Sequence, residues 1–288
     1  MARILSMAAV AAFAFSAAAP LASSARAEME VVNIPVPKAV IATAFNAAFA
    51  STKAHVHNLG SKHGSGSGIS WHADASHLLL PNGKKSSFAV DEQVFNVSKW
   101  RQLKYYVDDL NTQSIQATID GGRINVDLRF ENKGEEIKAK CIRRRLKKWE
   151  ECSLDIERDI HIDNAMLGVS LEPIAYKGSI AYANINQDQD VTFKYDIKIA
   201  NKLCQTFKGI CGWIEGKIKN KLTPAIESAA VANLNQTAVK DKIASAIRNS
   251  ATLGGLVKPS WKITKVTSSG SNFILRVERS VTKSASLD

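Results

Sequence analysis

The chain has 288 residues, with 38 Lys and Arg against 27 Asp and Glu, a formal net charge of +11. That length allows one large β-rich domain or two small ones, and the charge favours anionic partners such as phospholipid, lipopolysaccharide or acidic polysaccharide. After the opening stretch no run approaches the roughly 18 consecutive apolar residues that a membrane-spanning helix needs.

Residues 1–27 read as a cleaved export signal. Arg3 is followed by the apolar run Ile4 to Ala19, and Ala25-Arg26-Ala27 fits the small-x-small cleavage pattern. Loss of Arg3 and Arg26 takes the net charge from +11 to +9. The expected location is therefore periplasmic or secreted. Exported proteins rarely meet nucleic acid, so the expected partner is an anionic membrane surface, a lipid or lipopolysaccharide, and not nucleic acid. The cysteines Cys141, Cys152, Cys204 and Cys211 form an even set after export, which points to disulfides. Of three connectivities, Cys141–Cys152 with Cys204–Cys211 is favoured, because each pair brackets a short excursion. Neither pair has the CxxC spacing of a redox or zinc motif.

Glu28 to Pro37 is extended, since Pro35 and Pro37 disfavour helix there. Lys38 to Leu59 then reads as a helix with Val40, Ile41, Ala44, Phe45, Ala48 and Phe49 on one face and Gly60 as its cap. Ser61 to Gly68 is a loop by composition and lacks both the GKS/GKT ending and GxSxG. His55, His57, His63, His72 and His77 crowd this region with Asp74. They resemble zinc ligands in kind, yet no HExxH pattern orders them. Helix-end and loop positions account for them, and no metal or cofactor is predicted.

From Ile69 onward the pattern turns to β-structure. Hairpins are signalled at Pro81-Asn82-Gly83 and Asp120-Gly121-Gly122. Ile115, Ala117 and Ile119 alternate before the second turn, and Ile124, Val126, Leu128 and Phe130 after it. Val191, Phe193, Tyr195, Ile197 and Ile199 repeat the pattern. Such alternation predicts long antiparallel strands with one face in water, twisted and strongly curved. Between Cys141 and Cys152 lies the most charged place in the chain: Lys138 to Lys148 holds seven basic residues and no acidic one. Arg143, Arg144, Arg145, Lys147 and Lys148, with Trp149, suit docking on an anionic surface, where each cation contributes about 1 kcal/mol. A merely solvated hairpin tip is the plain alternative.

The stretch Ile210 to Leu234 organises the rest. Ile210, Ile214, Ile218, Leu222, Ile226 and Ala230 recur every four residues, the mark of an amphipathic helix about 37 Å long. Pro224 either kinks it or, with Thr223 as cap, begins a second helix. The stripe is ordinary core in the plain reading. Under a curved sheet, Val40, Ile41, Phe45, Phe49, Ile214, Ile218, Leu222 and Ile226 would instead line an apolar groove for acyl chains. Thr237 to Asn249 forms another amphipathic helix, a closing hairpin turns at Ser269-Gly270, and the tail from Ser280 is polar.

The order of short strand, helix, long antiparallel strands, long helix and last strands resembles the tubular lipid-binding (TULIP) superfamily, which includes the bactericidal/permeability-increasing and lipopolysaccharide-binding proteins. The local likeness is Gly212-Trp213-Ile214-Glu215-Gly216-Lys217 and onward to Leu234, where a Trp opens the long helix. The resemblance implies acyl chains held between sheet and helix, and basic hairpin tips that engage anionic headgroups. The chain departs from it in having two local cysteine pairs and one barrel-sized unit. The expected fold is α+β: a long, strongly curved antiparallel sheet wrapped around one or two long amphipathic helices. It occupies residues 28–280 as one domain, followed by a polar tail at 281–288. The expected function is lipid binding or transfer with anionic-surface docking. The alternative is a cationic envelope-binding protein without an enclosed ligand. No GxSxG, HExxH or framed carboxylate pair supports an enzyme, and oligomeric state is left open.

Overall fold

The computed structural model describes residues 27–57, 61–63, 70–72, 76–88, 93–107, 110–131, 137–145, 148–152, 160–199, 208–249, 253 and 255–282. The expected export segment, apart from Ala27, lies outside them, as do Lys147, Asp74 and Cys204. In chain order the first elements are β1 (Ala27–Pro37), α1 (Lys38–Phe49), β2 (Lys53–Val56), β3 (Ser61–His63), β4 (Ser70–His72), β5 (Ser76–Leu79) and β6 (Lys85–Phe88). Then come β7 (Gln93–Ser98), β8 (Arg101–Val107), β9 (Leu110–Asp120), β10 (Arg123–Phe130), β11 (Ile137–Arg145) and β12 (Lys148–Cys152). The remainder is β13 (Ile160–Leu171), β14 (Pro173–Tyr176), β15 (Ser179–Tyr182), α2 (Gln187–Asp190), β16 (Val191–Ile199), α3 (Lys208–Leu234), α4 (Thr237–Asn249), β17 (Lys262–Ser269) and β18 (Asn272–Thr282).

The fold mixes helices, one of them long, with antiparallel sheet. Every pairing between named strands is antiparallel among the described residues. The hairpins predicted at Gly83 and Gly121 form, each glycine taking the positive φ its turn requires. The helix predicted over Lys38–Leu59 is a correction: α1 stops at Phe49. Thr52 N–H closes on the Phe49 carbonyl, and Thr52, Ala54 and Val56 then alternate as buried residues. A period of two won over helix because β5 and β9 offer β2 partners on both edges. His55 and His57 therefore stand on and just after a strand, not at a helix end. α3 runs unbroken through Pro224, so Thr223 starts no second helix.

The largest sheet has the order β6-β5-β2-β9-β10-β13-β11-β8-β7, with β12 added on β11 and β16 on β13. β1, β18 and β17 form a separate three-stranded sheet. The buried row Ile124, Val126, Leu128 and Phe130 of β10, the buried row Val191, Phe193, Tyr195 and Ile197 of β16, and Ile218, Leu222, Ile226, Ala230 and Leu234 of α3 join one core.

Several sheet edges end on side chains that imitate a strand. Asn46 of α1 donates from Nδ2 to the Ala117 carbonyl at 2.8 Å and accepts the Ala117 N–H at Oδ1 at 2.6 Å. Thr112 does the same for Ala54, Ser76 for His57, and Asn235 for Ile185. Each stops a ladder without leaving backbone groups unpaired. Replacing Asn46 by Ala strips both partners from Ala117, which is itself buried. We expect a loss of about 2–3 kcal/mol in unfolding free energy, read from urea midpoints at constant m-value; a loss below a few tenths would show that Asn46 does not hold the edge.

Candidate functional site

Two features lie along the contact of α3 with the sheet. The first is a narrow cavity of about 30 Å³, lined among others by Phe49, Leu78, Leu128, Leu167, Ala230 and Leu234. Its surface is wholly apolar. Thr52, the only polar residue among the described ones on its lining, is buried and its Oγ1 makes no hydrogen bond, a condition that costs about 1–3 kcal/mol.

The second is a polar cleft of about 620 Å³ lined in part by Asn164, Ala165 and Met166 of β13. On one edge, β13 pairs with β10 from Met166 onward and, among the described residues, with β11 at Ile160. On its other edge β13 bulges against β16 between Asp163 and Met166, where Asn164 takes φ 53°. A second irregularity places Gln113 of β9 between the partners of Arg129 and Phe130. The cleft opens between these two bulges. Buried Phe130, Phe193 and Tyr195 line it, and so do exposed Arg129, Lys194 and Asp196 from the opposite face of the same strands. Lys219 and Thr223 of α3 complete it.

The cleft and the slot share strands. Phe130 and Ala165 of the cleft lie two residues from Leu128 and Leu167 of the slot, about 7 Å along the strands. Thr223 and Ala230 stand about 10 Å apart along α3. Phe130 and Phe193 meet edge to face with centroids 5.8 Å apart, and Phe193 lies 4.8 Å from Tyr195. These rings stand beside the cleft on the side of the slot. Glu227 of α3 accepts the Phe193 N–H at 2.8 Å and so ties helix to strand.

Of the eight residues predicted to line an acyl groove, Phe49 lies on the slot. Ile41, Phe45, Ile218, Leu222 and Ile226 are buried in the core, and Val40 is half-buried. Ile214 lies on α3. The basic tip gains an unforeseen neighbour. Pairing of β7 with β8, β8 with β11 and β11 with β12 brings the Lys99–Trp100 turn to the same end as Arg143, Arg144, Arg145, Lys148 and Trp149. Arg101 is the register partner of Arg143, Lys104 of Lys140, and Lys148 of Arg145. Trp100 is 56% exposed, with Lys99 Nζ 5.7 Å from its ring centroid. Cys141 and Cys152 are direct register partners, a placement whose Cα separation suits a disulfide. Cys211 lies in the first half of α3, and no free cysteine occurs among the described residues.

His55 and His77 are register partners with ring centroids 4.9 Å apart, and His57 lies 5.6 Å from His55. Burial, then His55 and Lys85, hold His77 below the usual imidazole range. No group that could hold a metal occurs among the described residues. Sequence reasoning missed Arg129, Lys194 and Gln113 because the outer face of any strand carries such residues. It missed Trp100 because one Trp between two strands carries no periodic signal.

Comparison with family models, curated proteins and solved structures gives no match to this chain.

Burial raises the Tyr195 hydroxyl from 10.0 to about 12. The unfolded chain loses this proton near pH 10 while the folded one keeps it. The contribution is thus complete below pH 10 and is lost as pH rises from 10.0 toward about 12. We expect the urea midpoint to fall across that window, and Tyr195→Phe to make the fall shallower; Tyr182, also raised by burial, accounts for part of the remainder. Parallel declines for parent and variant would show that Tyr195 titrates as in the unfolded chain.

Proposed function

We propose that this is an exported lipid-binding protein of tubular lipid-binding type, with its sheet curving about α3 and its basic tip docked on an anionic membrane or on lipopolysaccharide. The observation that carries the reading is the apolar slot between sheet and helices, which abuts a cationic cleft. Unfilled apolar space forfeits dispersion contacts, and each methylene placed there contributes about 0.8 kcal/mol. At about 30 Å³ the slot is too narrow for a full chain, so loading it requires α3 to part from the sheet. The cysteine pairs Cys141–Cys152 and Cys204–Cys211 close as disulfides in this reading.

A fluorescent fatty-acyl probe should bind the full chain saturably. Ala230→Trp, which fills the slot, should weaken that binding at least tenfold; a melting curve on the same variant verifies folding. Absence of saturable binding to the folded parent rejects an enclosed acyl site.

The narrowness of the slot favours a second reading, a cationic envelope-binding protein without an enclosed ligand. Both readings use the tip. Replacing Arg143, Arg144 and Arg145 with Ser removes about 3 kcal/mol of attraction, near a hundredfold in binding to anionic vesicles at low salt. Trp100→Ser should weaken the same binding without changing its salt dependence. Unchanged co-sedimentation of both variants would exclude the tip as the docking site.

A further inference from the structure

The cleft contains a row of side chains that nothing in the fold explains. Arg129 pairs in register with Met166, and Met166 pairs with Lys194. Two cations thus flank one apolar residue on the same sheet face, their Cα atoms about 10 Å apart. Neither has a hydrogen-bond or ion-pair partner among the described residues. The contrast with Arg123 on the same face of the same strand is direct. Arg123 donates to the Ser170 hydroxyl and carbonyl and pairs with Asp190. Lys219 enters the cleft from α3, already paired to Glu215 at 2.6 Å. Among the described lining residues the one carboxylate, Asp196, accepts from Asn164 Nδ2 at 3.1 Å. With Lys219 paired to Glu215, the two unpaired cations, Arg129 and Lys194, reach from opposite sides of Met166.

Behind this row the lining changes to Phe130, Phe193 and Ala165, which lead toward the slot. Cations at the mouth with apolar rings behind them match one kind of ligand. We propose that the cleft beside the Asn164 bulge seats the oxyanion of a single-headed anionic amphiphile, a carboxylate or phosphate monoester, with Arg129 and Lys194 as its ligands and its tail directed past Phe130 and Phe193. The guanidinium of Arg129 offers a bidentate fork and Lys194 a mobile point charge. The bulge at Asn164 lies on β13 next to this row. This assignment rests on the lipid-binding reading and names the headgroup that reading leaves unspecified.

The test uses the full chain and two probes with the same fluorescent tail, a free fatty acid and its methyl ester. The acid should bind about 5–10-fold more tightly than the ester, the scale that two exposed ion pairs supply, and the preference should shrink with added salt. Arg129→Gln with Lys194→Gln should bring the acid down to the affinity of the ester and leave the ester unchanged. These substitutions are at exposed positions, so the fold should survive them. Ala230→Trp, by contrast, should weaken both probes. Equal binding of acid and ester by the parent overturns the headgroup seat while the acyl-binding reading stands. Binding of neither probe overturns both. Inorganic phosphate, titrated by calorimetry, separates the possible sources. No saturable heat is expected without a tail, and binding of phosphate alone as tight as that of the acid would assign the row to a free anion and overturn the proposal.

Discussion

The constraint on which the architecture turns is that every backbone N–H and C=O of β13 must find a partner. At twelve residues β13 is longer than either neighbour on one of its edges. β10 serves the half from Met166 onward, β11 meets Ile160 among the described residues, and β16 covers the other edge. The bulge at Asn164 shifts the register against β16 between Asp163 and Met166. An unpaired buried amide costs as much as a lost hydrogen bond, and the bulge lets β13 keep β16 as its partner on both sides of Asn164. The same rule explains Asn46, Thr112, Ser76 and Asn235, each closing an edge with a side chain where no strand is present.

Burial then decides what the cleft exposes. β10 and β16 send alternate residues to the core, and α3 meets that face with Ile218, Leu222, Ile226 and Ala230. Close packing fills nearly all the space between them. What remains is the thin apolar slot near Phe49, Leu128 and Ala230. Rings rather than aliphatic chains lie between slot and cleft, and a ring pair meeting edge to face holds its place by shape as well as area. Pro224, which has no N–H to offer Asn220, stands in α3 between Lys219 and Ala230, on the segment that spans cleft and slot.

Charge follows a different logic. Like charges directly opposite one another on paired strands are destabilising, yet β8, β11 and β12 carry Arg101 against Arg143, Lys104 against Lys140, and Arg145 against Lys148. Water and salt relieve part of that repulsion, and Glu150 stands opposite Arg143. An anionic surface would relieve more. Pairing thus concentrates what the linear sequence spreads over two separate segments, and it brings Trp100 to the same end.

Much of the element pattern was legible in the residues alone. Alternation at Ile124–Phe130 and Val191–Ile197 required strands, the four-residue recurrence from Ile218 to Ala230 required a helix, and the glycines at 83 and 121 required turns. These depend on near neighbours and on burial of one face, which sequence encodes directly. The end of α1 was not legible. From Lys38 to Leu59 apolar residues satisfy a helical period nearly as well as a strand period, and only the partners β5 and β9 decided against helix. The cleft was not legible either. Arg129, Met166 and Lys194 are separated by dozens of residues, and each is an ordinary occupant of its strand. They become a row only because β10, β13 and β16 pair in this register, and a shift of one residue would have sent each to the other face.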